Sequence, residues 1–440
     1  MRKKWLILWA LIVLGGSLSA EDVFPYKIFQ KTLPNGLKTI VVPLANPGLV
    51  AYYSVVRTGH RDEYEEGHTG FAHFFEHMMF RGTKTYPGPV YDQLITGMGA
   101  NANAYTSDDL TCFYNVFAKD DLDKIMELES DRFQNLAYEE QEFKTESGAV
   151  LGEFMKSKMD PWSQIEEALY DTAFDKHTYK HTTIGFEKDV RAMSTMYEYS
   201  KTFFARYYRP ENVVLLICGD VEPQSVFQMV EHYYGQWQKG YVAPKIQSEP
   251  EQQAPRKKNI VYDGKSLPIL TIAYKGLAFD AQSRDYIASQ ILGEIMFGQT
   301  SELYASLVLK EQKVEFIAPS FGMNRDPNLN SVTAMVRDAK DIEPIRNAVL
   351  ATIDLFQTKP LPAERLENLK SNLRYSFLMG LQNADDVAGS LVRFITITGG
   401  VEAVNQYYQT LQQITPQDIQ QAARHFFTPN RSTEILLMEK

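Results

Sequence analysis

The stretch His73-Phe74-Phe75-Glu76-His77 decides how the rest of this chain is interpreted. Two histidines stand four residues apart, and a glutamate directly precedes the second. On an α-helix, positions i, i+3 and i+4 lie on one face, so His73, Glu76 and His77 can point at one place. Two imidazoles at this spacing form half of a zinc site, and the carboxylate can act as general base toward water activated by the metal. The alternative is a helix whose histidines only cap or pair with neighbours.

A third metal ligand must come from elsewhere in the chain. The helix predicted over Glu139–Lys158 carries Glu142, Glu146 and Glu153. Glu146 and Glu153 are seven residues apart, which is two helical turns or about 10 Å along the axis. They therefore share one face, so that one of them can reach a metal while the other stays behind it. For any single glutamate here, the alternative is an exposed helix face.

Length and composition set the general class of the protein. A chain of 440 residues predicts two domains of about 200 residues each. Its 44% hydrophobic and 23% charged residues are typical of a globular protein. The net charge of −10 argues against nucleic acid as a partner.

The N-terminus has the pattern of a secretory signal peptide. Basic residues Arg2-Lys3-Lys4 precede an apolar run from Trp5 to Gly16, which is too short for a membrane span. Small residues follow, and cleavage is expected after Ala20, so that residues 1–20 form the signal. An uncleaved anchor is the alternative. In both cases we expect the body of the protein to lie outside the cytoplasm, in the periplasm or secreted.

The chain has two cysteines, Cys112 and Cys218, each within an apolar strand-like run. An exported protein could pair them in a disulfide, but two buried free thiols are at least as consistent with this setting. Their spacing does not indicate a metal-ligand pair.

A run of small residues, Gly97 to Thr106, leads into a predicted strand over Leu110–Ala118. Small side chains on a strand allow another backbone to approach closely, so this run could dock an extended peptide by strand addition. A glycine-rich connector explains the composition equally well.

The second half of the chain repeats the first in outline. Residues 240–258 contain three prolines and read as an extended linker between domains at 21–239 and 259–440. Two pairs of similar segments recur at nearly equal offsets. Met79–Thr83 resembles Met296–Thr300 at an offset of 217 residues, and Tyr207–Pro210 resembles Phe426–Pro429 at an offset of 219, which indicates two copies of one fold. At the first offset, the three zinc-motif positions correspond to Gln290, Gly293 and Glu294, so the second copy should lack a zinc site.

Five motifs together resemble the inverted-motif zinc peptidase family that includes pitrilysin, insulin-degrading enzyme and the mitochondrial processing peptidase. The resemblance covers nearly the whole chain after the signal. The motifs are Gly70-Phe71-Ala72-His73-Phe74-Phe75-Glu76-His77-Met78, Phe80-Arg81-Gly82-Thr83, Asn101-Ala102-Asn103-Ala104-Tyr105-Thr106, Glu146 with Glu153, and Tyr207-Tyr208-Arg209-Pro210-Glu211-Asn212.

The resemblance implies roles for particular residues. The expected ligands of one Zn²⁺ per chain are His73, His77 and Glu153, with Glu76 as general base and Glu146 as an auxiliary catalytic carboxylate. It also favours the docking interpretation of the small-residue run, with a peptide substrate contacting Asn103, Ala104 and Tyr105. The implied fold is α+β, with two homologous domains that each have an antiparallel sheet and helices packed on one face. Half-size members of this family work as dimers.

One departure from the family pattern concerns the partner. Active members carry an Arg and, seven residues later, a Tyr that contact substrate from the half without zinc. The matching positions here are Val308 and Glu315, and no Arg occurs from Ser301 to Ala318. We therefore expect a heterodimer in which a homologous subunit supplies the Arg and Tyr, with a homodimer as the alternative. A non-catalytic assembly subunit and a small-molecule hydrolase are the rival functions.

Overall fold

The structure is a computed structural model that describes residues 22–45 and 47–440. The predicted signal peptide, residues 1–20, lies outside the described residues. Among those described, no single helix is long and apolar enough to cross a membrane; one bent pair, Ala384–Thr398 with Glu402–Gln413 at 92°, reaches the required length and hydropathy only when taken together.

Two β-sheets form the frame of the molecule. The strands of the first half are β1 (Phe29–Thr32), β2 (Lys38–Pro43), β3 (Leu49–Val56), β4 (Asn101–Thr106), β5 (Thr111–Ala118) and β6 (Val213–Gly219). Those of the second half are β7 (Arg256–Tyr262), β8 (Ile269–Lys275), β9 (Val314–Phe321), β10 (Leu329–Val336) and β11 (Ser432–Glu439). The strand orders are β1-β2-β6-β3-β5-β4 and β7-β11-β8-β10-β9.

The two sheet orders are the same once β1 is set aside, which confirms the predicted duplication. Each strand of the second sheet occupies the place of its equivalent in the first sheet. The equivalent pairs, in order across the sheets, are β2 and β7, β6 and β11, β3 and β8, β5 and β10, and β4 and β9. The predicted α+β class with two domains is thus confirmed. Each sheet is antiparallel except for one parallel pair, β2 with β6 and β7 with β11.

Helices surround the sheets. The first half contains α1 (Phe71–Met78), α2 (Gly88–Gly97), α3 (Leu122–Asn135), α4 (Glu140–Ser157), α5 (Pro161–Ala173), α6 (Glu187–Ala192), α7 (Tyr197–Tyr207) and α8 (Pro223–Tyr234). The second half contains α9 (Arg284–Phe297), α10 (Glu302–Tyr304), α11 (Ile342–Thr358), α12 (Ala363–Met379), α13 (Ala384–Thr398), α14 (Glu402–Gln413) and α15 (Pro416–Phe426). A π-helical segment, Ala305–Lys310, follows α10.

Each sheet is covered on its second face by a helix from the other half of the chain. Side chains of α13, including Val387 and Leu391, pack with Ile40 and Val55 of the first sheet. Side chains of α5 pack with the second sheet in the same manner, in a cluster that contains Ile165, Leu169, Ile269, Ala273, Ile435 and Leu437. The two halves are therefore interlocked by an exchange of helices, because burying these apolar faces is the main source of stability.

A buried charge cluster also joins the halves. Arg325, between β9 and β10, reaches into the first half, where its Nη2 lies 2.8 Å from Asp62 Oδ2 and its Nε lies 3.3 Å from Asp109 Oδ1. Both carboxylates are fully buried. Next to it, His177 Nε2 lies 3.0 Å from Asp326 Oδ2. Pairing compensates the desolvation of these charges and fixes the relative position of the two halves.

The structure also answers the question of the cysteines. Cys112 on β5 and Cys218 on β6 are free and buried. Strand β3 lies between them, and they pair with Val55 and Ala51, which are four residues apart along that strand. The distance across an intervening strand is too long for a disulfide.

Candidate active site

Helix α1 presents the zinc motif because its apolar and polar residues fall on different faces. Its buried face packs in the core of the first half and consists of Phe71, Ala72, Phe74, Phe75 and Met78. The nearby Thr69 does not cap the helix, because its hydroxyl donates to Asp189 instead. Gly70 occupies that position with φ +91°, and the buried Glu63 carboxylate accepts the amides of Gly70 and Ala72 at 2.7 and 2.6 Å.

The three expected zinc ligands lie together. Helix α4 packs against α1 through the Phe74 and Phe143 rings, 5.0 Å apart, and this contact brings Glu153 to the motif. Glu153 Oε2 lies 3.7 Å from His73 Nε2 and 3.5 Å from His77 Nε2. One potential ligand atom of each residue lies within 4.8 Å of those of the other two.

Glu146 lies behind this cluster and contacts one ligand. His77 Nδ1 donates to Glu146 Oε1 at 2.9 Å, and Arg81 Nε donates to Glu146 Oε2 at 2.6 Å. Burial alone would raise the pKa of the Glu146 carboxyl, but the hydrogen bonds from His77 and Arg81 outweigh burial and hold that pKa below its ordinary value. The same hydrogen bond raises the pKa of His77. Glu146 therefore orients the imidazole with Nε2 toward Glu153.

His73 is held differently from His77. His73 is mostly buried, and its Nδ1 has no hydrogen-bond partner among the described residues. Burial lowers the pKa of His73, which favours the neutral imidazole that a metal requires.

Glu76 is held in place by the small-residue strand. Thr106 Oγ1, at the end of β4, donates to Glu76 Oε2 at 2.6 Å. Glu76 lines a cleft of about 320 Å³ together with His73, Glu153 and Tyr105. The cleft continues along the end of α4 and the start of α5, past Phe154, Ser157, Lys158, Ser163, Gln164, Glu166 and Glu167. Glu76 and two of the expected ligands, His73 and Glu153, thus line one accessible cleft, and His77 lies beside Glu153.

The expected substrate residues lie on a free sheet edge. Among the described residues, strand β4 is the last strand of the first sheet and pairs only with β5. Ser107 N donates to Leu110 O within the hairpin, whereas Ala104 N donates to the side chain of Asn103. Because successive backbone groups alternate in direction, the amides of Ala102, Ala104 and Thr106 face the open edge.

The side chains of β4 divide between two environments. Ala104 is buried on the side of α1, while Asn103 and Tyr105 are exposed on the opposite side. Of the three expected substrate residues, Ala104 has its backbone amide directed at the open edge. In this structure that amide donates a hydrogen bond to the side-chain oxygen of Asn103. Tyr105 lines the cleft.

The second half has lost the site in a recognisable way. Gln290, Gly293 and Glu294 lie on α9, where the duplication places the equivalents of His73, Glu76 and His77. A Cβ on Gly293 would come within 2.9 Å of the Phe321 ring. Phe321 ends β9, as Thr106 ends β4, so an aromatic ring fills the space of the Glu76 carboxylate and its hydroxyl partner.

Three contacts of the site were not predicted from the sequence: Glu63 at the start of α1, Thr106 on Glu76, and Arg81 on Glu146. Arg81 follows His77 by four residues, and this spacing is the signal that could have found it, because it places both on one side of the same helical segment. Nothing in the local sequence indicates the contacts of Glu63 or Thr106, which depend on tertiary packing.

The chain is similar to known proteins over most of its length. The model of the insulinase family, peptidase family M16, matches residues 49–186, and the model of the M16 inactive domain matches residues 196–373. The zinc protease PqqE of Helicobacter pylori is 28% identical, over 97% of this chain and 96% of that protein.

Two solved structures have the same fold. A protease from Helicobacter pylori superposes with a TM-score of 0.88 at 26% identity, covering 94% of this chain and 99% of the other. The first half of the periplasmic protease PqqL from Escherichia coli gives a TM-score of 0.77 at 20% identity, covering 94% and 92% of the two chains. The second of these supports the fold only.

Proposed function

We propose, since this chain belongs to the insulinase family of peptidases, that it is a zinc-dependent hydrolase of peptide bonds in unfolded or short peptides. The observation that carries the proposal is the meeting of His73, His77 and Glu153, at a place where His73 and Glu153 line one open cleft together with Glu76. The relatives named as zinc proteases support the same activity. A non-catalytic assembly subunit would have no use for an intact ligand set with an ordered carboxylate beside it.

The residues fit a zinc ion by donor chemistry and by spacing. Two imidazole nitrogens and one carboxylate are a common set of protein ligands for catalytic zinc, with one position left open. Ligand atoms around a tetrahedral zinc ion lie roughly 3.4 Å apart, because each bond is about 2.1 Å long. The separations of 3.7 and 3.5 Å between Glu153 and the two Nε2 atoms agree with this value.

Glu76 has the position and environment of a general base. Zinc held by these residues would supply Lewis acidity, lowering the pKa of a water molecule and polarising the scissile carbonyl. The Glu76 carboxylate keeps one oxygen on Thr106 and has the other to accept a proton from the attacking water. It can then deliver that proton to the leaving amine nitrogen. Thr106 holds the carboxylate in place through both transfers.

The open edge of β4 provides the docking site for the substrate. An extended peptide can add as a further strand, exchanging hydrogen bonds with the backbones of Ala102, Ala104 and Thr106. Asn103 Oδ1, now on the Ala104 amide, would be displaced. Because Thr106 also contacts Glu76, a peptide paired along β4 has its backbone beside the catalytic carboxylate. Recognition of backbone groups favours chains that are unfolded or short.

The proposed partner is a homologous subunit. At the positions where active family members carry Arg and Tyr, this chain has Val308 in the π-helical segment and Glu315 on β9, where it forms an ion pair with Arg337. We propose a heterodimer in which the partner contributes those two side chains. The secretory pattern of residues 1–20 supports a location outside the cytoplasm.

The purified chain, with and without a homologous partner, tests this function. We expect about one zinc per chain by elemental analysis and cleavage of a quenched fluorescent peptide that a chelator abolishes and added zinc restores. Stoichiometric zinc without peptide cleavage in any combination of subunits would favour the assembly role. A protein that binds no zinc would contradict the proposal altogether.

A further inference from the structure

Arg81 forms the outermost member of a chain of contacts that ends at the metal site. Its guanidinium binds Glu146 Oε2 through both Nε and Nη2, while the other oxygen of the same carboxylate accepts from His77 Nδ1. The Glu146 side chain is only 5% exposed, whereas Arg81 is 46% exposed. A buried carboxylate requires compensation by charge and hydrogen bonds, and Arg81 supplies both from the solvent side.

The backbone fixes the place of Arg81. The residue closes the short 3₁₀ turn Met79–Arg81 that follows α1, and Gly82 comes directly after it with φ +85°. A Cβ at Gly82 would collide with the backbone of Tyr86 and Gly88, so the chain can reverse there only with glycine. One residue further on, the Thr83 hydroxyl donates to Asp131. Arg81 is therefore held by a rigid turn that is anchored on both sides.

We propose that Arg81 is a positioning residue for zinc binding, which acts through Glu146 to keep His77 Nε2 directed at the metal. The inference rests on the proposed zinc site but not on turnover. Each carboxylate oxygen of Glu146 has one partner: Oε1 accepts from His77 and Oε2 accepts from Arg81, so the orientation of the carboxylate is fixed. Without Arg81, the carboxylate is free to rotate about its terminal torsion and His77 loses its fixed orientation.

The test is the zinc affinity of the purified chain, measured by competition with a chelator of known affinity. Arg81→Met keeps the apolar stem and removes the donors, and we expect zinc to bind 10–100-fold more weakly, as is typical when an outer contact of a ligand is lost. Arg81→Lys keeps the charge but cannot bind in a two-pronged manner, and should restore the affinity in part. The cobalt-substituted protein should show an altered visible spectrum in Arg81→Met.

A double variant separates positioning from a general structural effect. If Arg81 acts through Glu146, Arg81→Met with Glu146→Gln should bind zinc no more weakly than Glu146→Gln alone. Lys84→Met is the matched control, since Lys84 is exposed in the same loop and forms no ion pair within the described residues, and it should leave the affinity unchanged. Circular dichroism melting checks that each variant is folded.

Two results would overturn the inference. One is wild-type zinc affinity in folded Arg81→Met, and the other is full additivity of the Arg81 and Glu146 effects. If the wild-type chain itself binds no zinc, the proposed function fails as well, and this outcome is distinguished by the wild-type measurement alone.

Discussion

Glu76 is the residue on which the proposed chemistry depends most directly. Glu76→Gln keeps the size of the side chain and an oxygen for Thr106, but it removes the base. We expect peptide cleavage to fall by about 10²–10⁴-fold, the usual contribution of a general base, with zinc content unchanged. Rates come from a quenched peptide and zinc from elemental analysis.

Glu66→Gln is a suitable control for this variant. Glu66 is an exposed carboxylate ahead of α1, so its loss should alter neither rate nor zinc content. Cleavage by Glu76→Gln at the wild-type rate would show that another group removes the proton.

Local spacing predicts one part of the site well. Once a helix is assumed, the i, i+4 spacing of His73 and His77 places both imidazoles on one face. Glu146 and Glu153 are seven residues apart on their own helix, so one can be a zinc ligand and the other a supporting carboxylate. The partners of these groups follow from packing. Nothing near Thr106 in sequence shows that its hydroxyl will meet Glu76, thirty residues away.

At the scale of elements, β4 carries the prediction on substrate binding. Ala102→Pro removes an amide that faces the open edge and takes no part in pairing with β5, so proline is tolerated there. We expect the apparent KM for an extended peptide to rise about tenfold, since one hydrogen bond of roughly 1 kcal/mol is lost and the ring obstructs the edge. Steady-state kinetics measure the change.

Ala102→Gly keeps the amide and serves as the matched control, with a KM close to that of the wild type. An unchanged KM in Ala102→Pro would mean that the substrate does not pair along this strand. Zinc content should be equal in all three proteins, because Ala102 touches none of the ligands.

Elements differ in how well the sequence predicts them. Helix α4 and strand β5 are predicted within a few residues, because their apolar positions recur at helical or strand spacing. Helices α5 and α13 are not predicted, although Asn383 and Gly399 at the ends of α13 are good boundary signals. Helix α13 also has a buried apolar face at helical spacing, which includes Val387, Leu391 and Phe394, so its pattern was present in the sequence.

At the scale of the whole molecule, the missing Arg and Tyr predict dependence on a partner. The chain alone should cleave peptides weakly, and a homologous subunit carrying both residues should raise the rate about 100-fold, as is usual when positioning contacts are restored. Val308→Arg with Glu315→Tyr should raise the rate of the chain without a partner above that of the wild type. Glu315→Gln alone is the control.

Full activity of the wild-type chain on its own would contradict the heterodimer and favour the homodimer. The duplication that underlies this argument was visible in the sequence as two near-equal offsets, and the identical strand orders confirm it. The exchange of α5 and α13 between the halves left no comparable mark, because no local pattern records which sheet a helix will cover.

The exchange of helices has a consequence for the order of events during synthesis. Strand β6 completes the first sheet at Gly219, but α13, which covers its outer face, begins only at Ala384, 165 residues later (384 minus 219). At about 5–20 residues per second, a chain that folds as it is made waits on the order of 10–30 s for this helix. Until α13 has emerged, whether from the ribosome or from an export channel, the first sheet keeps an apolar face exposed, and the N-terminal half is then open to aggregation.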